Sequence, residues 1–355
     1  MSDDSLSAYR ARIDALDDDL LRLVNERALL AREIGRLKNG TVYRPEREAQ
    51  ILRRLTEHNQ GPLDNDSVIS LFREIISACL ALERPLSIAY LGPAGTFSQN
   101  AAIAHFGHAA TLRDCVSIDE VFREVEAEAS DYGIVPVENS TGGAVGLTLD
   151  RIAQTPLKIC GEVMLRIHHH LLSRCGAIAE IKKIYSHAQS FAQCHEWLNR
   201  NLSGVERVSV ESNALAASLA ADEAGAAAIG AEAAGEHYAL QTLARNIEDE
   251  PSNTTRFWVL GRHDVARSGQ DKTSIVVGAA NRPGAMFELL EPFARYAVSM
   301  SRLESRPARG ALWEYLFFID IEGHREDHAV AAALGDLGNK AAFLKILGSY
   351  PCALT

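Results

Sequence analysis

The first forty residues constrain the fold most, because residues 6–39 contain no proline and carry apolar side chains at helical spacing. This pattern predicts one unusually long helix; its apolar positions are Ile13, Leu16, Leu20, Leu23, Val24, Ile34 and Leu37. Asn39-Gly40 is expected to end the helix. A second helix is predicted at 46–59 after Pro45, and a third, capped by Asp64 or Asp66, ends near Arg84-Pro85. Three helices make a thin core, so pairing with a second copy is expected.

After Pro85 the pattern changes to short apolar strands separated by helices, which is typical of an α/β domain. Strands are predicted at 86–91, 132–137, 163–172, 181–186, 206–210, 226–230 and 255–261. Beyond a polar linker at 266–271, the order changes again to strand, helix, two strands, helix and a final strand. These elements are predicted at 272–280, 284–296, 298–306, 312–321, 325–338 and 342–348. Their order indicates a ferredoxin-like α+β sandwich.

The sequence therefore predicts a multidomain protein: an all-α three-helix domain (1–85), an α/β domain (86–262) and an α+β domain (271–355). The length of 355 residues also favours two or three domains. A net charge of −11 argues against a nucleic-acid partner. Six scattered cysteines without a C-x-x-C pair indicate reduced, mostly buried thiols. With a polar, acidic N-terminus and no uninterrupted apolar span, a cytoplasmic location without membrane contact is expected.

Cationic side chains are concentrated in the N-terminal segment. Arg27 and Lys38 lie eleven residues apart, which places them on nearly the same face of the long helix. Arg10 is rotated about a quarter turn from Arg27, so a second protomer is the more natural source of Arg10 at a shared site. Arg47 and Glu48 open the second helix. A solvated helical surface remains the alternative interpretation of these charges.

This segment resembles the all-helical chorismate mutases in Y-R-A-R-I-D-A-L-D, N-E-R, G-R-L-K and R-P-E-R-E-A-Q-I-L. The resemblance implies an intertwined dimer in which Arg10, Arg27 and Arg47 bind the substrate carboxylates. It also implies that Glu48 holds the ring hydroxyl and that Lys38 donates to the ether oxygen. Such residues suit a pericyclic rearrangement, which needs a held conformer and hydrogen-bond donors where negative charge develops.

One position departs from a common version of the mutase pattern. Glu83 stands near the end of the third helix, where a glutamine is often found. An ionised carboxylate cannot donate a hydrogen bond to an ether oxygen, whereas a protonated one can. We therefore expect Glu83 to act in its neutral form, with mutase activity that declines as the pH rises. A solvated helix-end glutamate is the alternative.

Four polar loops in the central domain follow or precede predicted strands. They are G-P-A-G-T-F-S from Gly92, V-P-V-E-N-S from Val135, S-H-A-Q from Ser186, and N-T-T-R-F from Asn253. Each alone is more often a turn than a site. Neither a G-x-G-x-x-G fingerprint nor a P-loop is present, so no nucleotide cofactor is expected. The helix that begins near Ser98 offers free backbone N–H groups to an anion.

Together these loops resemble the prephenate dehydratases over residues 86–262, whose two α/β lobes resemble type-II periplasmic binding proteins. The resemblance implies Thr255 as the main catalytic residue of a cleft; the other lining residues are Glu138, Asn139, Ser186, Gln193, Thr96 and Ser98. Glu138 is a candidate proton source. Arg256 holds either a substrate carboxylate or a structural ion pair. On a strand at most two of His168, His169 and His170 share a face, so no metal site is expected.

The C-terminal domain resembles the phenylalanine-binding ACT domains of dehydratases. The matching residues are Asn281, Pro283, Gly284, Ala285 and Met286 before a helix, and Glu304, Ser305, Arg306 and Pro307 at the end of a strand. Backbone groups in such loops can hold an amino acid while apolar side chains receive its ring. The resemblance implies allosteric inhibition by phenylalanine bound between two ACT domains of a homodimer. A purely structural dimerisation module is the alternative.

The combined resemblance implies an enzyme without cofactors that converts chorismate to prephenate and prephenate to phenylpyruvate. Two other functions stay open. A binding-protein cleft joined to an ACT domain could be a non-catalytic sensor. A mutase fused to a prephenate dehydrogenase would need a nicotinamide fingerprint.

Overall fold

A computed structural model describes residues 3–37, 43–279, 282–307 and 315–354. The N-terminal segment is helical as predicted, with α1 (Asp3–Leu37), α2 (Pro45–His58) and α3 (Asn65–Ala81). Asp64 caps α3 by accepting a hydrogen bond from the Ser67 backbone N–H at 2.7 Å. The third helix ends at Ala81, three residues before Arg84, and Leu82 is its C-cap.

Helix α1 is covered by little else in its own chain. None of its described side chains, from Ser5 to Leu37, is buried. Eleven of its large apolar residues are between 44 % and 84 % exposed, and Val24 is of intermediate exposure. By contrast, Leu52, Ile69 and Ile76 of α2 and α3 form a small buried cluster. A long helix with an exposed apolar face is stable in water only when another surface covers that face.

The central domain is built from two sheets with helices packed on them. The first lobe contains β1 (Ser87–Leu91), α4 (Phe97–Phe106), β2 (Thr111–Cys115), α5 (Ile118–Glu126), β3 (Tyr132–Asn139), β4 (Gly143–Ala144), α6 (Gly146–Gln154), β5 (Lys158–Arg166) and β11 (Thr254–Gly261). The second lobe contains β6 (His170–Ser173), β7 (Lys183–His187), α7 (Ala188–Gln193), α8 (His195–Asn201), β8 (Glu206–Val210), α9 (Asn213–Asp222), β9 (Ala226–Gly230), α10 (Glu232–His237) and β10 (Gln241–Ala244). The α/β prediction is confirmed.

The strand order is β2-β1-β3-β11-β5 in the first lobe, with β4 beside β3, and β10-β6-β9-β7-β8 in the second. The chain crosses between the lobes twice, after β5 and before β11. The predicted single strand at 163–172 is therefore wrong, because β5 ends at Arg166 in one sheet and β6 begins at His170 in the other. Arg166 and His168 interrupt the apolar residues where the chain crosses between the sheets.

The C-terminal domain has the predicted strand–helix order: β12 (Asp271–Gly278), α11 (Ala285–Arg295), β13 (Met300–Pro307), β14 (Tyr315–Glu322), α12 (His328–Lys340) and β15 (Phe343–Pro351). Its sheet, in the order β13-β14-β12-β15, has two buried faces. Ile275 and Ile319 belong to the cluster that includes side chains of α11 and α12. Val276 and Phe318 pack with Trp258 of β11, so the C-terminal sheet lies directly on the first lobe.

The linker at 266–271 is anchored rather than free. Arg53 of α2 donates to the backbone oxygens of Ser268 and Gln270, both at 2.9 Å, and Ser268 and Asp271 are buried. The six cysteines, all in described positions, are free thiols, and four of them are buried, as predicted. Within the described residues, none of the helices combines the length and apolarity that crossing a membrane requires.

Candidate active sites

The three N-terminal helices enclose a cavity of about 760 Å³. It brings together four of the predicted residues, Arg27 of α1, Arg47 and Glu48 of α2, and Glu83 beyond the end of α3. Arg44 and Arg54 also line it, and its apolar walls include Leu30, Ile34, Ile51, Leu55, Phe72 and Ile76. A cavity that combines several arginines with an apolar wall fits a small carboxylated ring compound.

Close helix packing places Glu83 in this cavity. A methyl group on Gly35 of α1 would approach the Glu83 side chain to 2.6 Å, so the two helices meet where Gly35 lacks a side chain. Arg47 and Glu48 lie in the first turn of α2, which begins at Pro45. Helix packing thus sets the relative positions of these three charged side chains.

Glu48 is the buried carboxyl of this site. Its side chain is only 9 % exposed and lies 3.5 Å from Nε of Arg73 on α3. Burial raises the pKa of Glu48 to about 7, although the Arg73 charge opposes the shift. Arg73 also donates to the backbone oxygen of Ala104 on α4 at 2.7 Å, so an element of the central domain anchors the partner of Glu48.

Two predicted residues of this site are not placed in the cavity. Arg10 lies seventeen residues before Arg27 on the same straight helix, about 25 Å away along its axis. Arg10 therefore cannot reach the cavity of its own chain. Lys38 lies outside the described residues.

In the central domain, Thr255 and Asn139 are directly opposed in the β3–β11 ladder. Asn139 Nδ2 donates to Thr255 Oγ1 at 2.9 Å and to Asn253 Oδ1 at 2.8 Å. Asn139 Oδ1 accepts from the backbone N–H groups of Thr141, at 3.2 Å, and Gly142, at 2.8 Å. These fixed donors determine which end of the amide faces Thr255.

A chain of hydrogen bonds reaches Thr255 from the other lobe. Gln193 Nε2, in the second lobe, donates to Thr141 Oγ1 at 2.8 Å, and Thr141 Oγ1 donates to Asn139 Oδ1 at 2.7 Å. Gln193 Oε1 lies 2.8 Å from Nε2 of His169, and because this oxygen only accepts, the ring nitrogen is the donor. Burial lowers the pKa of His169, so the ring is neutral at pH 7. Every donor in this chain is directed towards Thr255.

The other predicted cleft residues lie farther from Thr255 in this network. Ser186 is fully buried and donates to Asn213 Oδ1 at 3.2 Å, at the end of β7. Thr96 caps α4 by accepting from the Gln99 backbone N–H, and Ser98 is buried in the first turn. Phe97, between them, packs edge-on against the His169 ring. These residues therefore border the junction of the lobes but make no described hydrogen bond to Thr255.

Glu138 was expected to line the cleft, and Arg256 was expected to hold either a substrate carboxylate or a structural ion pair. The structure places both side chains on the face of the sheet opposite to Thr255. They oppose each other in the β3–β11 ladder, and each contacts the C-terminal domain. Glu138 pairs with Arg302 of β13 at 2.8 Å. Arg256 binds Glu162 at 2.7 Å and Asp320 of β14 at 2.5 Å, which decides for the structural ion pair.

The physical reason is a β-bulge in β3. Phe257 pairs with Pro136 but Arg256 pairs with Glu138, so Val137 is an extra residue in β3. Strict alternation from Ile134, which packs on the α4 side, would point Glu138 to that side as well. The bulge reverses the alternation and turns Asn139 to the face of Thr255 instead.

Sequence reasoning missed several residues that the structure adds. Asn253 and Thr141 bind Asn139, Asn213 binds Ser186, and Arg73 pairs with Glu48. Asn253 belongs to one of the four polar loops and Thr141 directly follows another, so their position beside Asn139 could have been inferred. Arg73 carried no local signal, because only tertiary packing brings it to Glu48.

In the C-terminal domain, Pro283 and Gly284 precede α11, and Gly284 has a φ of 80°, which favours glycine. Ala285 and Met286 form the first turn of α11. Asn281 lies outside the described residues. Glu304, Ser305, Arg306 and Pro307 end β13, the edge strand.

Arg306 differs from the other residues of its motif. Its guanidinium binds Asp150 of α6 at 3.2 Å, in the first lobe. Because successive residues of a strand face opposite sides, Arg306 lies on a different face from Ser305 and Pro307, and its predicted contact with phenylalanine stays a prediction.

Comparison with known proteins assigns these sites to families. Residues 9–84 match the model of chorismate mutase type II, 88–265 that of prephenate dehydratase, and 273–339 that of the ACT domain. The chain is 54 % identical to a bifunctional chorismate mutase/prephenate dehydratase of Neisseria gonorrhoeae, over 99 % of this chain and 98 % of that protein. The corresponding protein of Pseudomonas aeruginosa is 50 % identical, over 99 % of both chains. The chain belongs to the bifunctional chorismate mutase/prephenate dehydratase family.

A solved structure agrees with this assignment. The prephenate dehydratase of Arthrobacter aurescens in complex with L-Phe superposes with a TM-score of 0.70 at 36 % identity, covering 75 % of this chain and 90 % of that one. The helical segment is thus the mutase domain, the two-lobed segment the dehydratase domain, and the last segment the ACT domain. The predicted pair of activities is confirmed at the level of the family.

Proposed function

We propose that the mutase cavity binds chorismate through Arg27 and Arg47 and holds its ring hydroxyl with Glu48. The observation that carries this proposal is the convergence of three helices on one cavity that contains these residues and Glu83. Lys38 and Glu83 are the candidate hydrogen-bond donors to the breaking ether bond. The arginines bind the compact conformer, and the donors stabilise the negative charge that develops on the ether oxygen.

The partner's Arg10 completes this cavity. Nine apolar residues of α1 fall on a strict alternation of three and four positions, with Arg27 at the one remaining position: Leu6, Tyr9, Ile13, Leu16, Leu20, Leu23, Leu30, Ile34 and Leu37. Such a heptad seam is typical of paired helices. An antiparallel pair centred on Leu20 places the partner's Arg10 beside Leu30, which lines the cavity. The homodimer is thus part of the active site.

In the dehydratase site, Thr255 donates a hydrogen bond to the leaving hydroxyl of prephenate. Its oxygen already accepts from Asn139, and no described residue accepts its proton, so the O–H is available to the substrate. The donors aligned from His169 to Asn139 polarise this hydroxyl further. Prephenate then loses its ring carboxylate as carbon dioxide, and the electrons of the broken bond aromatise the ring and expel the hydroxyl as hydroxide. A proton from solvent converts the hydroxide to water, and phenylpyruvate remains.

The position of the substrate follows from charge. A cavity of about 300 Å³ lies where the lobes meet, lined in part by Thr141, Gln193, Glu248, Asp249 and Glu250. Three neighbouring acidic side chains repel a dicarboxylate. The substrate therefore occupies the Thr255 side of the hydrogen-bonded chain, where the N-terminus of α4 offers free backbone N–H groups.

Phenylalanine is the allosteric ligand of the ACT domain. Support comes from the turn at Pro283 and Gly284, from Ser305 and Pro307 on β13, and from the bound L-Phe of the Arthrobacter aurescens relative. Inhibition requires a coupling free energy between this site and the cleft. Added phenylalanine is expected to inhibit phenylpyruvate formation.

Incubation with chorismate alone tests both activities. We expect prephenate to appear and then phenylpyruvate, without any added cofactor. Hydroxyphenylpyruvate formed only with NAD would instead identify a mutase–dehydrogenase. Phenylalanine binding without any turnover would identify a sensor.

A further inference from the structure

The ACT domain contributes a buried arginine to the face of the β3–β11 sheet that lies opposite to Thr255. Arg302 lies in β13, and its side chain is only 8 % exposed. Its Nε lies 2.8 Å from a carboxylate oxygen of Glu138, whose side chain is 40 % exposed. The three guanidinium nitrogens of Arg302 are buried and make no hydrogen bond within the described residues. A guanidinium removed from water needs a compensating charge, and the adjacent Glu138 carboxylate supplies it as an ion pair.

Glu138 occupies a critical position in β3. It immediately follows the extra residue of the bulge, and it immediately precedes Asn139, which binds Thr255. A slip of β3 by one residue would exchange the faces of Glu138 and Asn139. Asn139 would then point towards the ACT domain and lose Thr255.

We propose that Arg302 is a positioning residue of the dehydratase site. By holding Glu138 on the ACT side of the sheet, it fixes the bulge that turns Asn139 towards Thr255. Arg302 itself is on the opposite face from the catalytic hydroxyl and touches no substrate.

A second ion pair of the same strand shows what distinguishes Arg302. Arg302, Glu304 and Arg306 are alternate residues of β13, and Arg306 binds Asp150 of the dehydratase domain while Arg302 binds Glu138. Of these two ion pairs, only the one made by Arg302 reaches a residue adjacent to the hydrogen-bonded chain of Thr255. The dehydratase step therefore depends on the ACT domain even without an allosteric ligand.

The test uses the full-length chain and prephenate as substrate. Arg302→Met keeps the length of the side chain but removes its charge, and we expect kcat to fall about tenfold or more with little change in KM, because misplaced catalytic groups slow the chemical step. Arg302→Lys keeps the charge and should recover a substantial part of kcat. Mutase activity of the same chain, assayed with chorismate, should stay unchanged and reports that the protein is folded.

Arg325→Met is the matched control. Arg325 forms an ion pair between the same two domains, with Asp264 at 3.0 Å, but it lies away from β3. It should leave dehydratase kcat unchanged. Equal losses in the Arg302 and Arg325 variants would mean a general domain contact and would overturn the proposal, as would a wild-type kcat in Arg302→Met.

A double-mutant cycle shows whether Arg302 acts through Glu138. If it does, Arg302→Met combined with Glu138→Gln should be no slower than Glu138→Gln alone, because both changes release the same bulge. Losses that multiply would place the effect of Arg302 elsewhere and contradict the proposal.

Discussion

The two active sites of this chain each contain or adjoin a carboxylate held by an arginine, yet they differ in what completes them. In the mutase site, Glu48 is buried against Arg73, which the dehydratase helix α4 anchors through Ala104. In the dehydratase site, Glu138 is paired with Arg302 of the ACT domain. The mutase cavity, however, is bordered by α1, whose apolar face is exposed in the single chain.

This difference teaches that the two reactions depend on different contacts. The Thr255 chain of hydrogen bonds is complete within one polypeptide, because Gln193, Thr141 and Asn139 belong to the same dehydratase domain. In the proposed dimer, by contrast, a second chain covers α1 and supplies Arg10 to the mutase cavity. The following variants separate the two dependencies, beginning with the largest expected effect.

Thr255→Val should reduce dehydratase activity about a hundred- to a thousandfold, the effect of losing one hydrogen-bond donor to developing negative charge. Valine keeps the shape and burial of threonine, so Asn139 loses an acceptor but the strand should remain in place. Mutase activity measured on the same sample should be unchanged. A variant that retains full dehydratase activity would exclude Thr255 from the chemistry.

Leu20→Glu in the middle of α1 should dissociate the paired helices and reduce mutase activity about a hundredfold at low protein concentration, since charges in an apolar seam oppose pairing. Dehydratase activity with prephenate should change little. Size-exclusion chromatography and the dependence of mutase activity on protein concentration measure the effect.

Leu21→Glu is the control for this variant. Leu21 is also exposed, at 63 %, but it lies outside the three–four alternation of the seam. A loss as large as that of Leu20→Glu would contradict the proposed antiparallel seam and would leave the source of Arg10 to another arrangement.

The sequence predicted the parts of these sites that local patterns and motifs encode. The long helix and the grouping of Arg27, Arg47, Glu48 and Glu83 followed from periodicity and from resemblance, and the cavity contains all four. Thr255 and Asn139 were predicted from their loops, and they are hydrogen bonded.

The failures arise where tertiary structure overrides a local pattern. Glu138 and Asn139 are neighbours on a strand, so only one of them can face the cleft, and the bulge at Val137 decides which one does. Arg256 pairs with Glu162 and Asp320, two residues distant in sequence. No local signal reveals such partners, because pairing across domains depends on how the sheets stack.

Glu83→Gln tests whether the Glu83 side chain acts as a hydrogen-bond donor in the mutase site. Glutamine donates a hydrogen bond at any pH, whereas a carboxyl group donates only when protonated. Wild-type mutase activity should decline as the pH rises, by about tenfold for each unit beyond the titration of the essential acid, and the variant should have a flatter profile. Identical profiles for both proteins would remove Glu83 from the donor role.

Arg73→Met should alter the pH dependence at Glu48 without touching the cavity wall. Burial raises the pKa of Glu48 to about 7, and the charge of Arg73 opposes this rise, so removing that charge should raise the pKa further. If the ionised form of Glu48 holds the ring hydroxyl, the chorismate affinity of the wild type should increase as the pH rises through the pKa of Glu48. In Arg73→Met this increase should occur at a higher pH. Mutase KM measured between pH 6 and 9 gives the shift, and Arg54→Met, which changes an arginine of the cavity wall instead, is the comparison.

The smallest expected effect is on stability, and it applies to Glu48 alone. With a pKa of about 7 in the folded chain against 4.5 for the free group, native Glu48 keeps a proton between these values that the unfolded chain has lost. Stability should therefore decline as the pH rises from about 4.5 to about 7, by at most about 3 kcal/mol, and stay lower above that range. Glu48→Gln cannot lose this proton, so calorimetry should find its melting temperature increasingly above that of the wild type as the pH rises from 5 to 8. A difference in melting temperature that is constant over this range would mean that Glu48 is ionised throughout. The mutase site would then contain no proton on the Glu48 carboxyl.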